Sequence, residues 1–481
     1  MSSEGRLRHW SRLAVHLGNN PISLLGAALT TAAGVTLVWF WLLELTSARS
    51  LHPYVGILLF VILPALFTLG LILIPLGLVW RRRQLRSEGK LPTEYPRVDF
   101  QSPVVRNALI VLGGATVLNV AIMGTATFKG MEYMDSNDFC GLACHKVMAP
   151  EYNAYLGATH SHAGCASCHI GEGSGAFVRA KLSGVRQLVA FTRNNYSRPV
   201  PSPVHNLRPA SETCEHCHFP ERVIGDTLRM RRLYAEDEHN TSSVTVLTMK
   251  VGGGTGETAS GIHGRHLGDV RITYVTADAR REVIRSVTYT KGNAAPVEYV
   301  AEDAKASAAE GAHAETRVMD CTDCHNRPAH EFELPGRALD RAFAEGRLNP
   351  ALPYLRKKGL ELLKAEYKDR AEAAAQIPKA LAEYYRQSYP DTARDKAAVV
   401  EAAGRALVAI YERNVYPDLK LTWGTHKSQL GHDDAPGCFR CHDESHKAKD
   451  GRTITQDCEV CHTVVAQEEN DPAILKQLSF Q

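Results

Sequence analysis

Twelve cysteines fall in six close pairs along this 481-residue chain, and a histidine directly follows the second cysteine of every pair. Five pairs are regular: Cys165-Ala-Ser-Cys168-His169, Cys214-Glu-His-Cys217-His218, Cys321-Thr-Asp-Cys324-His325, Cys438-Phe-Arg-Cys441-His442 and Cys458-Glu-Val-Cys461-His462. Two thiols one short loop apart reach both vinyl groups of one porphyrin, and the next residue aims an imidazole at its iron. Zinc also takes Cys-x-x-Cys pairs, but a zinc ribbon gives no reason for the trailing histidine. These motifs predict covalently bound haem c, with porphyrins replacing much of an aliphatic core.

The remaining pair, Cys140-Gly-Leu-Ala-Cys144-His145, has one extra spacer residue. On a helix its thiols stand at i and i+4, on one face, with His145 adjacent. A disulfide, a stray metal pair and a lost haem site are the alternatives, since an oxidising compartment permits the first. The trailing histidine favours a sixth haem.

With 44% hydrophobic residues and a net charge of +3, the chain reads as globular with two or more domains. Its first 130 residues differ. Ile22 to Leu43, Val55 to Val79 and Leu109 to Ala126 are apolar runs, each able to cross a bilayer core of about 30 Å, the third only just. Core helices are the alternative. No small-residue cleavage site follows the first run, which is expected to remain as an anchor.

Arg6, Arg8 and Arg12 precede the first run, and Arg81, Arg82, Arg83, Arg86, Lys90, Arg97 and Arg106 crowd the loop between the second and third; the short first loop holds only Arg49. The positive-inside rule then puts the N-terminus and second loop in the cytoplasm and everything after the third run outside. All six motifs fall on that outer side, where bacteria attach haem. The expected location is the bacterial inner membrane with periplasmic haem domains. Aromatic and basic residues form no stripes of the kind that bind single strands, so no nucleic-acid partner is expected.

The expected organisation is a transmembrane anchor of three helices (1–130), a haem domain with three motifs (131–240), a small antiparallel β insertion (241–300), a linker with the fourth motif (301–345), a helical spacer (346–415) and a compact two-haem module (416–481). The β insertion rests on "TVLTMKVGG" and "VRITYVTADARREVIRSVTYT", which alternate and are rich in Val, Ile, Thr and Tyr. The spacer rests on helical periodicity such as "LRKKGLELLKAEY".

Electron-transfer haems usually take a second axial His or Met. His160 stands five residues before Cys165, His330 five after His325, His432 six before Cys438 and His446 four after His442. These four are the candidates beside motifs. One of His263 and His266, in "GIHGRH", is the fifth, with glycines that let backbone and ring approach closely. His162, His216, His239 and His313 read as surface histidines. The irregular first site is left with Met148, three residues past His145, as ligand or as packing filler.

"FCGLACHKVMAPEYNAYLGATHSHAGCASCHIGEG", "KLSGVRQ" and "TCEHCH" resemble the NapC/NirT/NrfH family of membrane-anchored multihaem cytochromes c over about residues 105 to 222, and "CTDCHNRPAH" and "GCFRCHDESHKAKDG" look like its larger members. The resemblance implies a hexahaem protein that oxidises membrane quinol or menaquinol and relays electrons to a periplasmic acceptor protein or to partner respiratory subunits. It also implies that the first haem, nearest the membrane, has unusual ligation and lies at the quinol site, and Lys181 matches a lysine of that pocket. A surface lysine without that role is the alternative. Met148 stands one place later than the family's C-H-x-M form, and three spans replace the usual one. The fold expected is a three-helix anchor, a loop- and helix-rich haem domain with its β insertion, and a helical C-terminal region. Two other functions remain open: a haem-based terminal reductase, and an electron-wire subunit without its own quinone site.

Overall fold

The computed structural model describes residues 20–46, 58–90, 101, 103–143, 145–171, 174–204, 207–302 and 315–478. Arg6, Arg8, Arg12, Arg49 and Arg97, on which the expected orientation partly rests, lie outside these residues, as do Cys144 and residues 303–314 of the expected linker, His313 among them. The chain divides into two units, Met1–His145 and Lys146–Gln481.

The first unit holds α1 (Pro21–Thr46), α2 (Leu63–Ser87) and α3 (Pro103–Met134). A π-helical turn, Leu58–Ile62, leads into α2. Pro21–Leu42 and Leu58–Ser87 are long and apolar enough to cross a membrane. The third expected run, Leu109 to Ala126, lies within the 32 residues of α3.

α1 and α2 run antiparallel along a seam of small residues. A Cβ on Gly26 would stand 2.8 Å from the Gly70 carbonyl oxygen, one on Gly70 2.7 Å from the Gly26 carbonyl oxygen, and one on Gly77 2.6 Å from the Ser23 nitrogen. Only glycine permits that approach, and Ser23 Oγ donates to the Ile74 carbonyl at 2.9 Å. Between two apolar helices in lipid, such close packing is the main source of association. Ala33, Leu37, Phe67 and Ile122 fill the small core beside the seam.

In the second unit α4 (His145–Leu156) is followed by α5 (Ser174–Thr192). Eight strands come next: β1 (Thr227–Tyr234), β2 (Ser242–Met249), β3 (Val270–Thr276), β4 (Ile284–Lys291), β5 (Val297–Ala301), β6 (Glu315–Val318), β7 (His446–Ala448) and β8 (His462–Glu469). They form two sheets, ordered β1-β2-β8 and β6-β3-β4-β5-β7. Every pairing is antiparallel. Val270, Ile272, Tyr274 and Thr276 are buried while the residues between them are not, the period-two pattern of a strand with one covered face.

The organisation differs from the sequence reading at three places. The sheet begins at Thr227 instead of 241, because "TLRMRRLY" carries Arg229, Arg231 and Arg232 and so hides the alternation of β1. The last two motifs do not form a module of their own: β7 pairs with β5 and β8 with β2.

The helical region starts at Pro335, earlier than 346, with proline in the first turn of α6 (Pro335–Ala344), where its missing N–H costs nothing. α7 (Leu355–Lys364), α8 (Arg370–Ser388) and α9 (Ala397–Asn414) complete it. Asp369 caps α8 by accepting from the Glu372 N–H. Leu339, Leu355, Leu363, Ile377, Leu381, Tyr385 and Leu407 are fully buried together, each worth about 1.5–3 kcal/mol of transfer from water. This aliphatic core stiffens the helical part of the second unit.

Candidate haem-binding sites

The regular motifs occupy single helical turns. Cys165–His169 and Cys321–Cys324 are short α-helices, and Cys214–His216, Gly437–Arg440 and Cys458–Val460 are 3-10 turns. In each turn the two thiols end near one another and the histidine leaves in a fixed direction. Asp320 caps the fourth motif and accepts from the Thr322 N–H, while Asp323 reaches back to the Asp320 N–H.

Opposite each regular motif histidine stands a second imidazole. His169 faces His330 at 6.1 Å between ring centres, His218 faces His160 at 6.0 Å, His325 faces His263 at 6.3 Å, His442 faces His266 at 5.8 Å and His462 faces His432 at 6.2 Å. Two imidazoles on one iron, each bound about 2 Å from the metal through a ring nitrogen, put their ring centres about 6 Å apart. The residues present therefore fit five bis-histidine haems.

The tautomers agree with this use. His160 Nδ1 meets the Pro328 carbonyl at 3.2 Å, His330 Nδ1 the Glu151 carbonyl at 3.1 Å, His266 Nδ1 the Ile262 carbonyl at 2.8 Å and His442 Nδ1 the Thr455 carbonyl at 2.8 Å. A carbonyl only accepts, so Nδ1 carries the proton in these rings and the Nε2 lone pair is left for a metal. Desolvation holds the imidazoles of His169, His263, His266 and His325 below the usual histidine range, which keeps them neutral.

Successive motifs are neighbours in space. Cys168 feels the charge of Cys214, Cys214 is within hydrogen-bonding reach of Cys321, Cys324 feels Cys438, and Cys461 feels Cys438. From the second to the sixth, the attachment sites follow one another in sequence order. Burial pushes the Cys324 thiol up to about 11 and the Cys441 thiol up to about 12. As a thioether neither would carry a proton at all.

Buried donors without a protein partner complete the fit. Arg327, two residues after His325, is ion-paired with Glu151 at 3.4 Å through Nη1, while its Nε and Nη2 have no hydrogen-bond partner among the described residues. Haem propionates are the kind of carboxylate such a guanidinium holds.

Sequence proximity misassigned one histidine and undervalued another. His446 is no ligand candidate in the fold: buried on β7, its Nδ1 meets Asp443 at 2.9 Å and its Nε2 meets the Ile284 carbonyl at 3.2 Å. His263 and His266, treated as alternatives, both face motif histidines, of the fourth and fifth sites. They lie at i and i+3 on the single turn Gly261–His266, so one turn serves two sites. A histidine pair at helical spacing was the signal.

At the irregular site, Cys140 lies in a π-helical turn, Phe139–Ala143. A π turn is how a helix absorbs one inserted residue, which accounts for the extra spacer. Met148 follows in α4 and is half-buried, and Lys181 is half-buried on α5.

Residues 102–201 match the model of the NapC/NirT cytochrome c family, N-terminal region. The chain is 40% identical, over 94% of its length and 89% of the relative's, to the cytochrome c-type protein ImcH of Geobacter sulfurreducens. No solved structure matches it. With covalent haem motifs, an apolar anchor and a relative matched along almost its whole length, the chain belongs to the NapC/NirT family of membrane-anchored cytochromes c.

Proposed function

We propose that this chain is a hexahaem quinol-oxidising cytochrome that relays electrons from the membrane quinol pool to a periplasmic redox partner. The facing imidazole pairs on consecutive motifs carry the reading. When bound, the haems supply reversible one-electron transfer along that series. The imidazole pairs of Cys165–His169 and the four later motifs would hold a haem iron from both sides and leave no open position for a small oxyanion, which argues against a terminal reductase.

Entry of electrons belongs to the first motif. Quinol is lipid-soluble, and Cys140, Cys144 and His145 are the first such residues after α3. Met148 is the candidate for its second axial position, and Lys181 for a hydrogen bond to a quinol oxygen. α3 is the third span in this reading, with the N-terminus cytoplasmic and the body periplasmic.

The test is reduction of the purified holoprotein by a menaquinol analogue, followed at the haem absorption bands. Reduction by the analogue in the wild type, slowed in Lys181→Ala while dithionite still reduces every haem, is the expected result. A wild type reduced by dithionite alone would make the chain a wire whose quinone site belongs to another subunit.

A further inference from the structure

Helix α5 has side chains sorted around its axis although no residue of it is buried among those described. Val178, Leu182, Val185 and Val189 recur at i, i+4, i+7 and i+11, which aligns them on one face, and they are 54%, 63%, 62% and 43% exposed. Arg179, Arg186 and Arg193 recur every seven residues along one flank of that stripe, and Lys181 marks the other flank. Residues 174–193 contain no Asp or Glu.

A helix in a protein gains most of its stability by burying its apolar face, and the apolar face of α5 is exposed. Its charge selects the cover. A stripe of aliphatic side chains whose flanks carry cations and no acid suits a surface that is apolar beneath and anionic above, and the family to which the chain belongs is anchored in such a surface. We infer that α5 lies in the headgroup layer of the anchoring membrane, with Val178, Leu182, Val185 and Val189 at the acyl boundary and Arg179, Arg186 and Arg193 on the phosphates of anionic phospholipid. The long arginine stems would lie along the aliphatic stripe while their guanidinium groups reach outward.

Photocrosslinking of the full-length holoprotein tests this, in vesicles of equal parts phosphatidylglycerol and phosphatidylcholine. Benzoylphenylalanine replaces Leu182 in one variant and Gln187, on the opposite face, in another. Both must keep the wild-type haem spectrum. Position 182 is expected to form phospholipid adducts, several-fold richer in phosphatidylglycerol than the vesicle, and position 187 to form few. Combining Arg179→Gln, Arg186→Gln and Arg193→Gln should remove the phosphatidylglycerol enrichment. Adducts at 182 with protein, or equal lipid adducts at both positions, would overturn the placement; lipid adducts without enrichment would overturn the recognition of anionic lipid. The readout is contact and not electron flow, so it stands or falls apart from quinol oxidation.

Discussion

Arg440, between the two cysteines of the fifth motif, directs all three guanidinium nitrogens at backbone carbonyls. Nε donates to Gly437 at 2.9 Å, Nη1 to Arg281 at 2.8 Å and Nη2 to Asp323 at 2.5 Å. The last ties the fifth attachment turn to the fourth, whose Asp323 is itself held by Tyr274 Oη at 2.6 Å and Arg317 Nε at 3.0 Å. Stranding buried carbonyls costs about 1–3 kcal/mol each, so Arg440→Ala should lower the unfolding free energy of the holoprotein by about 2–4 kcal/mol in a denaturant titration. Arg440→Lys should recover less than half, because one ammonium cannot serve three diverging acceptors. The histidines separate by spectroscopy. His263→Ala and His266→Ala should each turn a different single haem high-spin, while His446→Ala should leave all haems low-spin and lower thermal stability instead.

Among the elements, the α1–α2 seam makes the sharpest demand. Gly70→Ala would press a methyl into the Gly26 carbonyl and into Thr30, and α1 must then move away. Overpacking of this kind costs about 1–3 kcal/mol, measurable as a lower melting temperature in detergent. Gly114→Ala in α3, with nothing within 4 Å of the new methyl, should be neutral or slightly stabilising. The motifs themselves were legible, because a thiol pair and the next imidazole are bound by chain geometry alone. The partner of each imidazole was not, because it comes from a distant segment: His330 follows the fourth motif yet faces His169 of the second, and His160 precedes the second yet faces His218 of the third. Proximity in sequence therefore favoured His446, which the fold uses to join Asp443 to the β4 backbone. The strands of 243–300 announced themselves by alternation, whereas β7, three residues long, and β8, with exposed Val464 and Val465, had no pattern that set them apart from loop.

For the whole molecule, intact mass gives the count that motif reading leaves to experiment. The expected increment is six haems, and five, with Cys140 and Cys144 in a disulfide, would remove the irregular site from the series. Reporter fusions after residues 50, 90 and 135 are expected to read outside, inside and outside. Ending the chain after Ser445 deletes β7 and β8, leaving β5 and β2 each short of one neighbour, and should cost the fourth and fifth haems their ordered surroundings as well as removing the sixth motif.

The pairing of β8 with β2 also has a meaning in time. Thr248 meets Thr463 in that register, so the first sheet stays unfinished until β8 has been made. At about 5–20 residues per second, the roughly 200 residues between the two strands take about 10–40 s to synthesise. An unfinished sheet through that interval would leave the thiols of the earlier motifs open to attachment. On that timing β8 would act as a clasp, closing over motifs made before it.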